Sequence, residues 1–386
     1  MQNVTEKENV SMKRFLQWWK GQPVLGISLL AALVSMCFVP PDAGYLSYCN
    51  RAVLIQLFCL MLTVAGLRSI GVFEQVTQNL LKRAGTVRRV GIFLIQLCFF
   101  SAMLVTNDVA LLTFVPLTLL LFEEIDDEKS RIWVIVLETA AANLGSMMTP
   151  VGNPQNLYLY AAYQLHTTDF FRTMLPTGAV SYALLWELSA FLPKTPCTSK
   201  PHAAPKQIPR KPAAGYLLLF VLCLLTVFRV LPDWVCLIAA IAVGLLCNRK
   251  LFAQVDYCLL GTFVCFFVFV GNIARIEPVR EFFADIMLGR ELWISAALSQ
   301  CISNVPAAVM LSGFTRNAKA LLLGVNLGGL GTPIASLASL ISYQFYSKAK
   351  RPKPLKYLAV FSAVNFGMLA FLLLIGWLQL GHSISL

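Results

Sequence analysis

The sequence predicts an all-α polytopic membrane protein of two inverted-topology repeats, each with a re-entrant hairpin and a broken transmembrane helix. Three observations lead there. First, 58% of the 386 residues are hydrophobic and 13% are charged, with mean hydropathy +0.70. A soluble domain is about a quarter charged, and the apolar stretches run to roughly the 17–25 residues that a bilayer core demands. Second, Asn143-Leu-Gly-Ser-Met-Met-Thr-Pro-Val151 returns as Asn326-Leu-Gly-Gly-Leu-Gly-Thr-Pro-Ile334, a shift of 183 positions (326 − 143). Tyr160 and Tyr343 keep the same offset. Third, a polar break precedes each copy: Thr106-Asn107-Asp108, then Ser303-Asn304-Val305-Pro306. Repeated halves interrupted at matching positions point to a binding site at the repeat interface.

Taken in order, residues 1–22 form a polar amino-terminal segment, followed by a full-length span rather than a short cleavable leader. Spans are expected at 23–40 and 47–67, a hairpin over 90–122, a broken span at 131–165 and a span at 173–192. These make the first repeat, 23–192. Residues 193–214 carry six prolines and five cations and read as an extended, solvated linker. The second repeat, 215–386, holds spans at 215–231, 234–247 and 256–272, a hairpin over 292–315, a broken span at 320–345 and a span at 356–380. The hydropathy pattern thus predicts about nine crossings and two hairpins. Residues 67–75 and 273–281 mix charge with apolar positions, fitting either interfacial helices or plain connectors. The acidic run 123–128 reads as a solvated loop.

The basic residues set the orientation. Lys13, Lys82, Arg88, Lys129, the linker cations, Arg249, Lys250 and the cluster 348–356 share one side when the amino terminus is cytoplasmic. Only Lys319 among the lysines then lies outside, as does the carboxyl terminus. The span before each hairpin crosses in the opposite direction, so the hairpins enter from opposite sides. The expected location is a multi-pass position in the plasma membrane, the inner membrane in a bacterium.

Other classes are poorly supported. The formal charge of +12 lies in loops between apolar spans, a topogenic pattern rather than a nucleic-acid surface. Eleven cysteines are scattered singly, without a CxxC or a Cys/His cluster, and read as small buried hydrophobes. The three histidines, His166, His202 and His382, fall in expected loops or the tail. Phosphate loops, HExxH and GxSxG are absent, so no cofactor is called for beyond a coupling ion, Na+ or H+. An enzyme would need a nucleophile–base set or paired aspartates, and Asp108 has no evident acidic partner in the second half.

The site is expected where the breaks meet. At 1.5 Å per helical residue, Val90 to Thr106 spans ~24 Å, well into a ~30 Å core. An ionisable group at that depth costs roughly 2.5–3.5 kcal/mol and marks an ion path or relay. Asp108 is therefore a candidate coupling carboxylate, or a cap on the returning arm, and these roles are compatible. In 149–156, Pro150 and Pro154 remove N–H donors and Gly152 permits a sharp turn. Freed carbonyls with Asn and Thr oxygens suit a hard cation, and helix N-termini suit an anion. Gly328, Gly329, Gly331, Thr332 and Pro333 do the same in the second copy, with Ser336 and Ser339 on the following arm. The competing reading is a pair of packing kinks at helix crossings.

Candidate substrate-binding residues are Thr106, Asn107, Asp108, Thr149, Pro150, Gly152, Asn153, Ser303, Asn304, Pro306, Thr332 and Pro333. Candidate coupling-ion residues are Asn107, Asp108, Asn143, Gly145, Asn153, Asn304, Asn326, Gly328 and Gly331. Glu138 and Glu187 fall near span ends and are expected to snorkel or pair locally. No cation cluster falls at the expected site.

At these residues the chain resembles the ion transporter superfamily, which includes citrate transporters, divalent-anion:sodium symporters, arsenite permeases and certain sodium/proton antiporters. The resemblance covers nearly the whole chain after residue 22. In the divalent-anion symporters the hairpin tips carry Ser-Asn-Thr, which binds carboxylate and sodium. Here Thr106-Asn107 and Ser303-Asn304 carry over, while the third-position Thr is replaced by Asp108 and Val305. Asn107-Asp108 and Asn304-Val305-Pro306 look more like the arsenite permease and citrate transporter branches. The resemblance implies a secondary transporter of a small anion, a di- or tricarboxylate such as citrate or an inorganic oxyanion, coupled to Na+ or H+. It also implies a homodimer. Arsenite efflux and Na+/H+ antiport are the alternatives within transport; an ion channel and an intramembrane enzyme are those outside it.

Overall fold

The computed structural model describes residues 23–72, 75, 85–125, 127–196 and 208–383. The segment 1–22, connector residues 73 and 74, linker residues 197–207 and His202 lie outside them. Apart from one bridge between Thr86 and Pro196, the described residues are helices and loops.

The first half runs α1 (Pro23–Phe38), α2 (Tyr45–Tyr48), α3 (Arg51–Ser69), α4 (Val87–Val105), α5 (Asn107–Ile125), α6 (Glu128–Ser146), α7 (Pro154–Ala162) and α8 (Thr167–Ser189). The second half runs α9 (Arg210–Val227), α10 (Asp233–Cys247), α11 (Tyr257–Ala274), α12 (Glu277–Met287), α13 (Glu291–Ile302), α14 (Asn304–Ser312), α15 (Ala318–Leu327), α16 (Leu337–Ser347) and α17 (Pro354–Ser383). Short polar side chains start many of them. Asn50, Asp127, Asn153, Asp256 and Asn317 each accept from a backbone N–H three residues on.

Both hairpins form, α4–α5 and α13–α14, each turning on one residue. Both broken helices form as well, α6–α7 and α15–α16. Among the described residues, five helices, α3, α4, α9, α11 and α17, are long and apolar enough to cross a bilayer. The hairpins differ in length. The arms of the first, 19 residues each, reach ~28 Å, while those of the second, 12 and 9 residues, reach ~18 and ~14 Å.

Packing sorts the helices into two bodies. α1, α3, α9, α10 and α11 pack mainly on one another. The hairpins, the broken helices, α8 and α17 form the second body, around which the most buried polar groups gather. Apolar side chains such as Ile27, Leu30, Leu217, Ile238 and Leu374 remain exposed on the outside, as they would against lipid.

Some expectations need correcting. The linker is shorter than 193–214. Residues 192–195 are tied to the start of α4, with Val87 and Arg88 donating backbone N–H bonds of 3.0 Å to Thr195 and Pro193. α9 already begins at Arg210, because Pro212 in a first turn lacks only an N–H that has no helical partner there. The acidic run 123–128 is largely helical, ending α5 and starting α6. Of 67–75, the described part is the end of α3, a turn at Gly71 and the helical residues Val72 and Gln75, with Gln75 N donating to the Gly71 carbonyl at 3.1 Å. Its counterpart leads into α12, whose one buried residue is Met287. His382 lies in the last turn of α17 rather than in a free tail. Cys59, Cys98, Cys223 and Cys236 are buried as expected, whereas Cys37, Cys247 and Cys301 are exposed.

Candidate functional site

The hairpin tips share an unusual backbone. Thr106 has φ 81° and ψ 151°, and Ser303 has φ 75° and ψ 155°. Side-chain-bearing residues rarely adopt this region, and holding one there costs about 1–3 kcal/mol. The conformation lets one residue reverse the chain, so that α5 and α14 start immediately afterwards with exposed N–H groups. Pro306 sits in the first turn of α14, where its missing N–H is harmless.

Each hairpin docks on its own broken helix in the same way. The Thr149 hydroxyl donates to the carbonyl of Met103, three residues before the first tip. Thr332, its partner at the 183 shift, donates to the carbonyl of Gln300, three residues before the second tip, at 3.1 Å. A Cβ on Gly145 would lie 2.1 Å from the Phe99 carbonyl oxygen, and one on Gly328 would lie 2.8 Å from Ala296 Cα. Phe99 and Ala296 both precede their tips by seven residues, so glycine permits the same close crossing twice. Gln300 strengthens the second junction, donating to Gly328 (2.8 Å) and Leu330 (3.0 Å) and accepting from Thr332 N (2.8 Å). Gly331 between them has φ +101°, which excludes ordinary side chains.

The breaks then clasp each other across the repeats. Asn153 donates to Asn326 Oδ1 (2.9 Å), and Ser336, its equivalent (336 − 153 = 183), donates to Asn143 Oδ1 (2.9 Å). Asn326 donates to Asn156 (2.6 Å), as Asn143 does to Ser339 (3.4 Å), again 183 apart (339 − 156). Asn107 joins the network by donating to Asn143 Oδ1 at 3.0 Å. All these asparagines are buried.

Four helix N-termini converge on a cavity of about 10 Å³, the size of one water. Its wall includes Asn107 and Asp108 of α5, Pro154 and Gln155 of α7, Asn304 and Val305 of α14, and Ser336 and Leu337 at the start of α16. Each N-terminus carries roughly half a positive charge, so the four together favour an anion. Two acceptors there have no hydrogen-bond partner: Asp108 Oδ1 and Oε1 of Gln155, a residue 2% exposed. Asp108 Oδ1 is therefore not used to cap its own helix.

A second cavity of about 390 Å³ adjoins this one between the two bodies. The second body contributes Thr106, Asp108, Val109, Leu112, Asn153 and Pro154. α3 contributes an apolar wall that ends in Arg68, and Gln254 and Asp256 complete it before α11.

Residues 15–321 match the model of the family described as Citrate transporter. The chain belongs to the citrate transporter family. An uncharacterized transporter of Methanocaldococcus jannaschii is 34% identical over 295 residues, covering 75% of this chain and 79% of its own. Inner membrane protein YbiR of Escherichia coli is 29% identical over 335 residues, covering 85% and 89%. The crystal structure of the YdaH transporter of Alcanivorax borkumensis, described as having an unusual topology, superposes with TM-score 0.56 at 13% identity. It covers 95% and 98% of the two chains and, at that low identity, bears on fold alone. This member of the family is an integral, multi-pass membrane transporter.

Of the expected site residues, Thr106, Asn107, Asp108, Asn153 and Asn304 line these cavities. Thr149, Pro150, Gly152, Ser303, Pro306, Thr332, Pro333, Asn143, Gly145, Asn326, Gly328 and Gly331 do not; they form the hinges, junctions and clasp behind them. Three groups escaped sequence reasoning. Gln155 was passed over within the broken segment. Arg68 is a cation lining the larger cavity, and Asp256 is an acidic second-half residue lining it from the body opposite Asp108. One signal was available for Arg68. Pro116 inside α5 cannot bond the Leu112 carbonyl, and Arg68 Nη2 donates to that oxygen at 3.2 Å. Of the two expectations for Glu138, pairing holds and snorkelling does not: it is 0% exposed, takes a 2.6 Å hydrogen bond from Thr118 on Oε1, and has no partner for Oε2. Glu187 is exposed in the last turn of α8.

Proposed function

We propose that the protein is a secondary active transporter of a small anion, a di- or tricarboxylate such as citrate or an inorganic oxyanion, driven by Na+ or H+. The observation that carries this reading is the convergence of four helix N-termini on one cavity beside the unpartnered Asp108 carboxyl. The N-termini attract an anion, and Asp108 repels one until a cation or proton neutralises it. Loading of anion and cation is thereby linked. The larger cavity is lined by Arg68 in the last turn of α3 and by Gln254 and Asp256, which follow the basic pair Arg249–Lys250, so we read it as facing the cytoplasmic side and the arrangement as inward-facing. Alternating access comes from the hairpin-bearing body moving against α1, α3 and α9–α11.

Uptake of labelled citrate and phosphate into proteoliposomes, under separate Na+ and pH gradients, tests this. Accumulation is expected with one of the gradients; equal uptake without either contradicts coupling. Asp108 and Asp256, which line one cavity from the two bodies, favour a second reading, cation/proton antiport. It would appear as Na+-driven proton movement with no anion present.

A further inference from the structure

We infer that Arg68 is a specificity-determining residue that selects anions carrying two charged groups, by holding one group while the helix N-termini hold the other. The inference rests on the anion-transport reading above and adds which residue reads the substrate's second charge.

Arg68 ends α3, in the body opposite the hairpins, and is the cation on the wall of the cavity that Asp108, Thr106 and Asn153 line from the other side. Its guanidinium is held by one hydrogen bond, to the Leu112 carbonyl that Pro116 leaves without a helical donor. No carboxylate among the described residues is ion-paired with it. Leu112 lies four residues beyond Asp108 on α5, which places the guanidinium ~6 Å along the helix from the N-terminus at the tip. A compact oxyanion seated on the N-termini cannot also reach across that gap, whereas a carboxylate at the far end of an extended substrate can. A guanidinium offers two parallel N–H donors to a carboxylate, a better partner than a single carbonyl. Apolar side chains of α3 on the same face also line this cavity, Val64 and Ala65 nearest to Arg68, matching a short carbon chain rather than a hydrated ion.

The position also makes the contact state-dependent. Arg68 and the tip belong to different bodies, so both charges are held together only while the bodies enclose this cavity. Arg229 serves as the internal control. It also spans the bodies, donating to the Tyr160 carbonyl at 2.8 Å with its guanidinium 4.8 Å from that ring, and it does not line the cavity.

The test measures citrate and phosphate affinity of the purified full-length protein by thermal shift and calorimetry, for the unaltered chain and for Arg68→Ala, Arg68→Lys and Arg229→Ala. Arg68→Ala should weaken citrate binding about tenfold to hundredfold, the range for losing a charged hydrogen-bonding partner, with phosphate binding unchanged. Arg68→Lys should recover part of the citrate loss, and Arg229→Ala should alter melting temperature without altering either affinity. Three results overturn the inference: equal losses for both anions, citrate binding indifferent to Arg68, or an Arg229→Ala loss as large as that of Arg68→Ala. Binding of phosphate alone by the unaltered protein also overturns it. An unaltered protein that binds neither anion fails one step earlier and takes the anion-transport reading with it.

Discussion

Thr106 and Ser303 hold matching strained conformations at the two hairpin tips, at φ 81° and 75°. Strain persists where surrounding contacts over-determine it, and here the tips are pinned between their broken helices. Replacing either residue with glycine should therefore raise stability by about 1–3 kcal/mol, read as a higher melting temperature in detergent. Transport should fall at the same time, because the tip hydroxyl is lost; a lower melting temperature would count against the strain. Asp108 makes the other prediction at this scale. Asp108→Asn keeps the shape but removes the charge, so the protein should fold while its cation affinity falls about tenfold or more. Glu187→Gln, at an exposed helix end, should leave cation dependence intact. Normal transport with unchanged Na+ and pH dependence in Asp108→Asn would move the cation site to Asn107, Asn304 and the breaks.

At the scale of elements, the broken helices are joined by side chains that repeat at the 183 shift. Asn153 and Ser336 each reach the asparagine of the opposite repeat, so each break is completed by the other half. Deleting one member leaves buried donors and acceptors unpaired, which costs about 1–3 kcal/mol. Asn326→Ala should lower the melting temperature accordingly, since Asn153 and Asn156 both lose a partner. Thermal unfolding of Asn153→Ala, Asn326→Ala and the double variant should show non-additivity, the double costing less than the sum. Additive losses would mean that the two halves are not energetically joined at this point.

Over the whole molecule, two bodies meet around the larger cavity, and the positive-inside rule predicts that the basic loops beside it lie in the cytoplasm. A cysteine in place of Lys194 and one in place of Gly381 test it, in a background without native cysteines. An impermeant maleimide applied to intact cells should label position 381 and reach position 194 only after the membrane is opened. Labelling of position 194 from outside would reverse the orientation and make this an outward-facing arrangement.

What the sequence determined by itself is what local chemistry controls. Bilayer-length apolar runs, prolines and glycines at the breaks, and polar tips within apolar stretches act over a few residues, so the helices, hairpins and breaks were legible from the chain. The 183-residue repeat exposed the internal symmetry too, because duplication preserves residue types wherever the same junction must be built twice. Which side chains face one another was decided by tertiary packing. Arg68 lies 40 positions before Asp108 (108 − 68) and Asp256 lies 148 after it (256 − 108), and no periodicity links positions on separately packed bodies. Glu138 shows the same limit within one helix: its distance from the helix end was readable, but which face packs on Thr118 was not. Helical spacing determines which residues share a face; only the docking of one body on another determines what that face meets.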